Sequence, residues 1–417
     1  MTQLNTRQRQ DPEPGTVDNH ERLVRLAYFV AVLLVLAVVS GFFPFALVIF
    51  ALIAMVMIHE LGHFITAKWA GMKVTEYFFG FGPKLWSIHK GETEYGIKAL
   101  PLGGYVRIIG MNNLEQVDPA DEPRTYRQQS FPKRIVVAVA GSFMHFVMAF
   151  VLLFFLWAAV GVPKPTLTVG EVYGIKGGES PAQKAGFKPG DRILAVDGRV
   201  VHDWDHLPDY IKNRIGKPIE FTVQRGNELV RLTAVPADGG DSGHPSGFIG
   251  VAAASRYERA SPLAAVGRAG QDVGSLTTGT FGALKTLFTP GHLESYASQL
   301  SGHGAVTGKE ADRPISVVGF VRVAGQAAQH GTADLLFLLA LINIFIGIFN
   351  MVPLLPLDGG HVVVAVYERL RSRAGRRYHA DVAKLLPLTA AVVMILIVFG
   401  TATIYLDIVR PIANPFH

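Results

Sequence analysis

The sequence predicts a polytopic α-helical membrane protein with an inserted β-rich domain. Three observations carry this reading. Five apolar segments, at about 24–42, 44–66, 134–160, 333–357 and 385–408, each approach the roughly 20 residues that span a bilayer. Lys and Arg gather on one side of those segments. Between the third and fourth lies a long stretch that alternates apolar and polar residues instead. At 417 residues and 49% hydrophobic, the chain has room for these helices and one water-exposed module.

Residues 1–23 are polar and rich in Asn, Gln, Pro and Asp, as in a disordered cytoplasmic tail. A signal peptide would begin its apolar stretch sooner. Residues 24–66 form two transmembrane helices in a tight hairpin, divided at Gly41-Phe42-Phe43-Pro44, because a single span of more than about 30 residues would overshoot the hydrocarbon core even when tilted. In 67–133, Gly80, Gly82, Gly91, Gly96, Gly103 and Gly104 punctuate short strand-like runs with apolar sides. These predict a cytoplasmic or membrane-reentrant β-hairpin region, whose edges are satisfied by protein or bound substrate.

The third span covers 134–160. In 161–245, Ile219–Arg225 and Leu229–Thr233 flank Gly226-Asn227 as a hairpin, and Gly186–Gly198 reads as turn, strand and turn. The small β-rich core so defined covers about 168–236. Residues 246–332 read as a linker followed by Ala- and Gly-rich amphipathic helices along the membrane surface. A span and a turn fill 333–361, a basic loop 362–384, the last span 385–408 and a short tail 409–417.

Arg7, Arg9, Arg22 and Arg25 precede the first span, Lys68, Lys73, Lys84, Lys90, Lys98 and Lys133-Arg134 lie between the second and third, and Arg369, Arg371, Arg373, Arg376 and Arg377 precede the last. With five crossings all three groups share one side, which makes them cytoplasmic and the 161–332 stretch extracytoplasmic. The net charge of +6 is therefore loop charge, and without aromatic-basic interleaving it predicts no nucleic-acid partner. There is no cysteine, which excludes disulfides, thiolate metal sites and a cysteine nucleophile. Metal ligands must come from His, Asp or Glu.

His59-Glu60-Leu61-Gly62-His63 closes the second apolar run. Ionisable groups at membrane depth are costly and point to a site. Residues i and i+4 share a helix face, so His59 and His63 can hold one ion while Glu60 faces a water and acts as general base. Asp358, in Asn350-Met351-Val352-Pro353-Leu354-Leu355-Pro356-Leu357-Asp358-Gly359-Gly360, is the third ligand at the matching depth, with His361 a competitor and a helix cap the plain alternative. Asn350 needs a partner, either a substrate backbone group or a neighbouring helix. His145, within Gly141-Ser142-Phe143-Met144-His145, either serves the site or bonds across helices. His89, His244, His292, His303 and His330 read as solvated surface groups, and His202 with His206 as a poor metal pair despite their spacing.

Together these features resemble the site-2 protease family of intramembrane zinc metalloproteases, and within it the regulated-intramembrane-proteolysis proteases of the actinobacterial Rip1 type, over nearly all of the chain from about residue 45. The family's H-E-x-x-H falls on His59, Glu60 and His63, its N-x-x-P-x-x-P region on Asn350, Pro353, Pro356, Asp358 and Gly359, and its G-F-G hairpin on Gly80, Phe81 and Gly82. The resemblance implies that His59, His63 and Asp358 bind Zn2+, with Glu60 as base. It also implies that the segment 76–109, with Gly80, Phe81, Gly82, Gly103, Gly104 and Tyr105, forms membrane-reentrant hairpins binding an extended substrate. The Ser180–Gly198 run resembles a PDZ domain, implying an extracytoplasmic PDZ-like module that gates substrates by size.

The implied substrates are single-pass membrane proteins such as anti-sigma factors already shortened by a site-1 protease, or signal-peptide remnants, in a bacterial cell membrane. Two features depart from the pattern: His145 stands where the family usually has Asn, and 24–42 adds an apolar segment. A metal-ion or proton-coupled transporter and an inactive PDZ scaffold are the competing readings. The scaffold does not explain an acid beside the ligands.

Overall fold

The computed structural model describes residues 19–111, 115–174, 178–239, 246–287, 289–300, 313–372, 378–412 and 414. The tail before Asn19, the middle of the basic loop, His244 and His303 lie outside the described residues. Helix α1, Asn19–Val39, begins inside the stretch expected as tail, and a short turn at Ser40–Phe42 leads into α2, Phe43–Trp69. Gly41 takes φ +73° in that turn, a left-handed conformation that glycine adopts without penalty.

Four helices among the described residues are long and apolar enough to cross a membrane: Phe43–Trp69, Phe131–Val160, Thr332–Asn350 and Ala383–Val409. The protein is thus a multi-pass helical membrane protein with several β-sheet regions. Prolines at 44, 132 and 387 open three of these helices, where a missing N–H costs nothing. The second, α3 (Phe131–Phe155), widens at its end into a π-turn over Leu156–Val160, closed by the Gly161 N–H on the Leu156 carbonyl at 2.7 Å.

Lipid gives apolar side chains no reason to prefer one another, so close packing decides how such helices associate. Small residues supply it. A Cβ on Gly62 of α2 would come within 2.7 Å of the Ala140 carbonyl on α3, so these helices touch backbone to backbone. Gly347 on α9, Thr332–Asn350, likewise lies against Ser142 and His145 of α3. Ala149, Leu153, Ala340 and Ile344 bury the α3–α9 seam together with Ala269 of α6, Pro262–Leu287. Val48 and Met55 of α2 pack against Phe320 and Ala324 of α8, Val317–His330.

From α2 the chain enters β1, Val74–Lys90, which turns at Gly91-Glu92 into β2, Thr93–Ile108. Residues 76–79 pair on one side with 94–97 and on the other with 104–107, while 84–90 pairs with 93–98. The folded-over ladder leaves residues 104–108 as an outer strand. Tyr77 pins the sheet to α2 by donating its hydroxyl to the Met57 carbonyl at 2.7 Å.

The β-rich domain is antiparallel, ordered β10-β3-β4-β6-β7 with β5 on β4. Its strands are β3 Val162–Val172, β4 Arg192–Val196, β5 Arg199–Val200, β6 Ile219–Arg225, β7 Glu228–Ala234 and β10 Val251–Glu258, with a separate pair, β8 Ala237–Asp238 and β9 Gly247–Phe248. Helices α4, Pro181–Ala185, and α5, His206–Lys212, accompany the sheet, and Phe187, Ile193, Ile219, Phe221, Val223 and Ile211 fill its core. One boundary differs from expectation. The sheet takes a strand from beyond residue 245, because β10 pairs with β3 from Val251↔Val172 to Glu258↔Val162. Long-range pairing of this kind leaves no local sequence signal.

Of the amphipathic helices expected in 246–332, α6 lies against α3 and α9, whereas α7 (Pro290–Leu300) and α8 reach α11 (Leu386–Val409). At the C-terminal end of α11, Asp407 is buried and accepts from Arg313 at 3.0 Å and from the Ser316 amide and hydroxyl at 2.6 Å each.

Candidate metal centre

Helix α2 carries His59 and His63 one turn apart, both buried. Helix α10, Asp358–Arg371, begins with Asp358, so the carboxylate sits where the helix dipole favours a negative charge. The turn ahead of it is tight, and a Cβ on Gly360 would come within 2.6 Å of the Leu355 amide nitrogen. That close approach explains the glycine after Asp358-Gly359. The three side chains converge, with one donor atom from each within 4.8 Å of the others.

The separations fit a zinc ion. His63 Nε2 lies 3.3 Å from His59 Nε2 and 3.4 Å from Asp358 Oδ1, and His59 Nε2 lies 3.7 Å from Asp358 Oδ2. A tetrahedral site with bonds of about 2.05 Å has donor–donor edges of about 3.3 Å. The tautomer fits as well. His63 Nδ1 donates to the Val137 carbonyl at 2.7 Å, which leaves its Nε2 lone pair facing the other two donors. The bare Nε2 of His63 and the Asp358 carboxylate repel one another at such a distance unless a cation or a proton lies between them.

Helix α3 shapes the remaining wall. A Cβ on Gly141 would overlap His63 Nε2 and come within 2.5 Å of His59 Cε1, so only glycine leaves space for an ion. Ser142 donates its hydroxyl to Asp358 Oδ2 at 3.0 Å and orients that carboxylate. His145 is 1% exposed, its ring centroid 5.1 Å from that of His59. Its Nδ1 pairs with Asn343 Oδ1 at 2.9 Å, and the Asn343 amide donates to the Leu339 carbonyl at 2.7 Å, so the oxygen is the end free to accept. His145 thus bonds across helices to α9 and at the same time stands beside the cluster.

Glu60 faces the outer strand of the sheet. A Cβ on Gly104 would lie 3.2 Å from Glu60 Cγ. A groove of about 430 Å³ runs along this strand, lined by Tyr105, Val106, Arg107, Ile108, Met111 and Glu115. Phe81 stacks on Tyr105 with centroids 5.6 Å apart. Gly80 and Gly82 take φ +87° and +80°, which lets β1 bend against Lys98 and Leu100. Outside the spans, Glu76 is held below the usual carboxylate range despite partial burial, by the hydroxyl of Tyr105 and by Arg107 and Lys98.

The other sequence candidates are not among the three clustered donors. Asn350 ends α9, half-buried, ahead of the turn that leads to Asp358. His361 is not among the clustered donors. His202 is exposed, and His206 is 89% exposed beside Asp203, away from any cluster of three ligands among the described residues. His89 is 72% exposed, and His330 sits at the end of α8 on Asp334. His292 is half-buried and pairs with the Thr289 hydroxyl at 3.0 Å. Sequence reasoning missed Gly141, Ser142, Asn343 and the Val137 carbonyl. A small pair and an amide inside apolar spans were the available signals; a backbone carbonyl leaves none.

A family model described as peptidase family M50 matches residues 47–397. The chain is 32% identical over 408 residues to the zinc metalloprotease Rip1 of Mycobacterium tuberculosis, covering 90% of this chain and 98% of the relative. It is 33% identical over 412 residues to the zinc metalloprotease Rip1 of Mycolicibacterium smegmatis, covering 89% and 99%.

Proposed function

Because this chain belongs to peptidase family M50 and is a zinc-dependent intramembrane endopeptidase, we propose that it cleaves single-pass membrane proteins within their spans, with His59, His63 and Asp358 as metal ligands and Glu60 as the catalytic residue. One observation supports this most: three donors converge on one point, and Glu60, next in the chain to the donor His59, lies against the outer strand Gly104–Ile108.

A transmembrane substrate keeps its carbonyls bonded inside its own helix, which hides them from attack. We infer that an unwound segment adds to the outer strand, with the groove beside Tyr105 and Arg107 taking its side chains. Gly103 and Gly104 keep that edge narrow, and the Gly80-Phe81-Gly82 bend supports it through the Phe81–Tyr105 stack. Zinc, when bound, lowers the pKa of a coordinated water toward about 7 and polarises the scissile carbonyl. Glu60 takes the proton that the attacking water loses and returns it to the leaving amide nitrogen. Ser142 holds Asp358 in orientation, and Asn343 holds His145, which with Asn350 stabilises substrate and intermediate.

The substrates we propose are anti-sigma-factor-like regulators first shortened by a site-1 protease, in a bacterial cell membrane. The distribution of Lys and Arg supports a cytoplasmic N-terminus and active-site side, with five crossings counting α1. On this reading the sheet of β1 and β2 is membrane-reentrant, and the β-rich domain is an extracytoplasmic PDZ-like filter that admits only shortened substrates.

The test is cleavage of a labelled single-pass peptide by reconstituted protein and by Glu60→Gln. Loss of the base should reduce the rate by about 1000-fold, while zinc content stays at the parent level. Equal cleavage by both proteins would reject Glu60 as the base.

A further inference from the structure

Arg134 and Glu368 form an ion pair that the chemistry above does not use. Both are buried, at 8% and 2% exposure, with Arg134 Nη1 at 2.7 Å from Glu368 Oε2. Each partner is held from a second direction. The Tyr126 ring lies 5.0 Å from the Arg134 guanidinium, and its hydroxyl donates to the Arg134 carbonyl at 3.2 Å. The Ala380 amide donates to Glu368 Oε1 at 2.6 Å.

Desolvating two charges costs about as much as their attraction returns, so a buried pair is poor evidence of added stability. What such a pair supplies is a defined geometry. Arg134 lies eight residues before Ser142 on α3, and Glu368 ten residues after Asp358 on α10. Ser142 meets Asp358 and Arg134 meets Glu368, so the helices run antiparallel and are joined by two polar rungs. At about 1.5 Å per residue the rungs are roughly 12 Å apart on α3 and 15 Å on α10. Ten residues turn α10 through about 1000°, which leaves Asp358 and Glu368 about 80° apart on one side of the helix. A single rung lets α10 roll about its axis; two set the roll.

We propose that Arg134 and Glu368 are positioning residues for the metal centre, fixing the rotation of α10 so that the Asp358 carboxylate meets His59 and His63. This rests on Asp358 being a ligand. Neither residue of the pair touches substrate or the donors.

The experiment measures zinc affinity of the full-length protein in detergent, by competition with a chromophoric chelator, for the parent, Glu368→Gln, Asp358→Ala and the double variant. Positioning through Asp358 predicts about a tenfold loss for Glu368→Gln and no further loss when Asp358 is already absent. Unchanged affinity in Glu368→Gln overturns the proposal. So does an equal loss in both backgrounds, since the pair would then act on the whole bundle. If Asp358→Ala alone leaves affinity intact, the ligand assignment fails instead. Should Glu368→Gln not fold, Arg134→Lys, which keeps the charge and loses the planar fork, replaces it in the same cycle. Its expected loss is about threefold with Asp358 present and none without it.

Discussion

The metal-bearing end of the helical bundle and the β-rich domain handle polar groups in opposite ways. In the β-rich domain the polar contacts surround an apolar centre of Ile193, Phe221 and Val223: Asp197 takes Tyr210 and Arg214 near the surface, and Asp191, itself buried, is held by Arg225, whose side chain reaches solvent. In the bundle the order is reversed. His59, His63, Ser142, His145 and Asn343 are buried inside apolar spans, and the contact from Ser142 to Asp358 closes across 216 residues. The domain organises polar groups to keep a fold, whereas the bundle gives up stability to hold polar groups where a reaction needs them.

The strongest test of that contrast is Gly141→Ala. One methyl group would occupy the space between the imidazoles, so zinc affinity should fall on the order of a hundredfold with helix content unchanged by circular dichroism. Retained affinity would mean that the ion does not lie against α3. The complementary change is Phe221→Ala, which removes a fully buried ring packed 5.2 Å from Phe187. It should destabilise the domain by about 3–5 kcal/mol, read as faster proteolysis within 162–258, while zinc affinity stays within about twofold of the parent. A parallel loss of zinc would show that the two regions are energetically one.

The smallest effect concerns pH. Arg124, and with it Lys68, holds the Glu92 carboxyl down at about 2, against an ordinary 4.5, and so ties the β1–β2 turn to the end of α2. A depressed carboxylate contributes stability that is complete above its ordinary value and is lost as pH falls toward 2. Protease resistance of the turn should therefore decline as pH falls from about 4.5 toward about 2, and Arg124→Gln should move the decline upward. The β-rich domain should follow its own curve through Asp191, which Arg225 and the Lys188 amide hold low against burial. Identical curves for both regions would erase the distinction.

What was legible in the sequence follows from range. His59 and His63 share a helix face by local geometry, and Asp358 announces itself beside prolines and paired glycines after an apolar span. The hairpin at Gly226-Asn227 was legible because turn chemistry is local; the structure forms it with Arg225↔Glu228 as the last pair. The joining of β10 to β3 was not legible, because about 80 to 95 residues separate the partners. Nor was the part played by Val137, Gly141 and Ser142, which depends on how α3 packs between α2 and α10. Arg134 could be read as loop charge at a membrane boundary, and only the packed structure gives it Glu368 as partner.

The wide turn at Leu156–Val160 joins the two regions, and the Trp157 carbonyl and indole tie it to Ala260 and Asp272 beyond the β-rich domain. A π-turn holds one residue more than the α-helical period allows, and one residue is worth about 100° of azimuth. That surplus residue therefore sets part of the heading at which the chain leaves the helix that walls the ion for the β-rich domain.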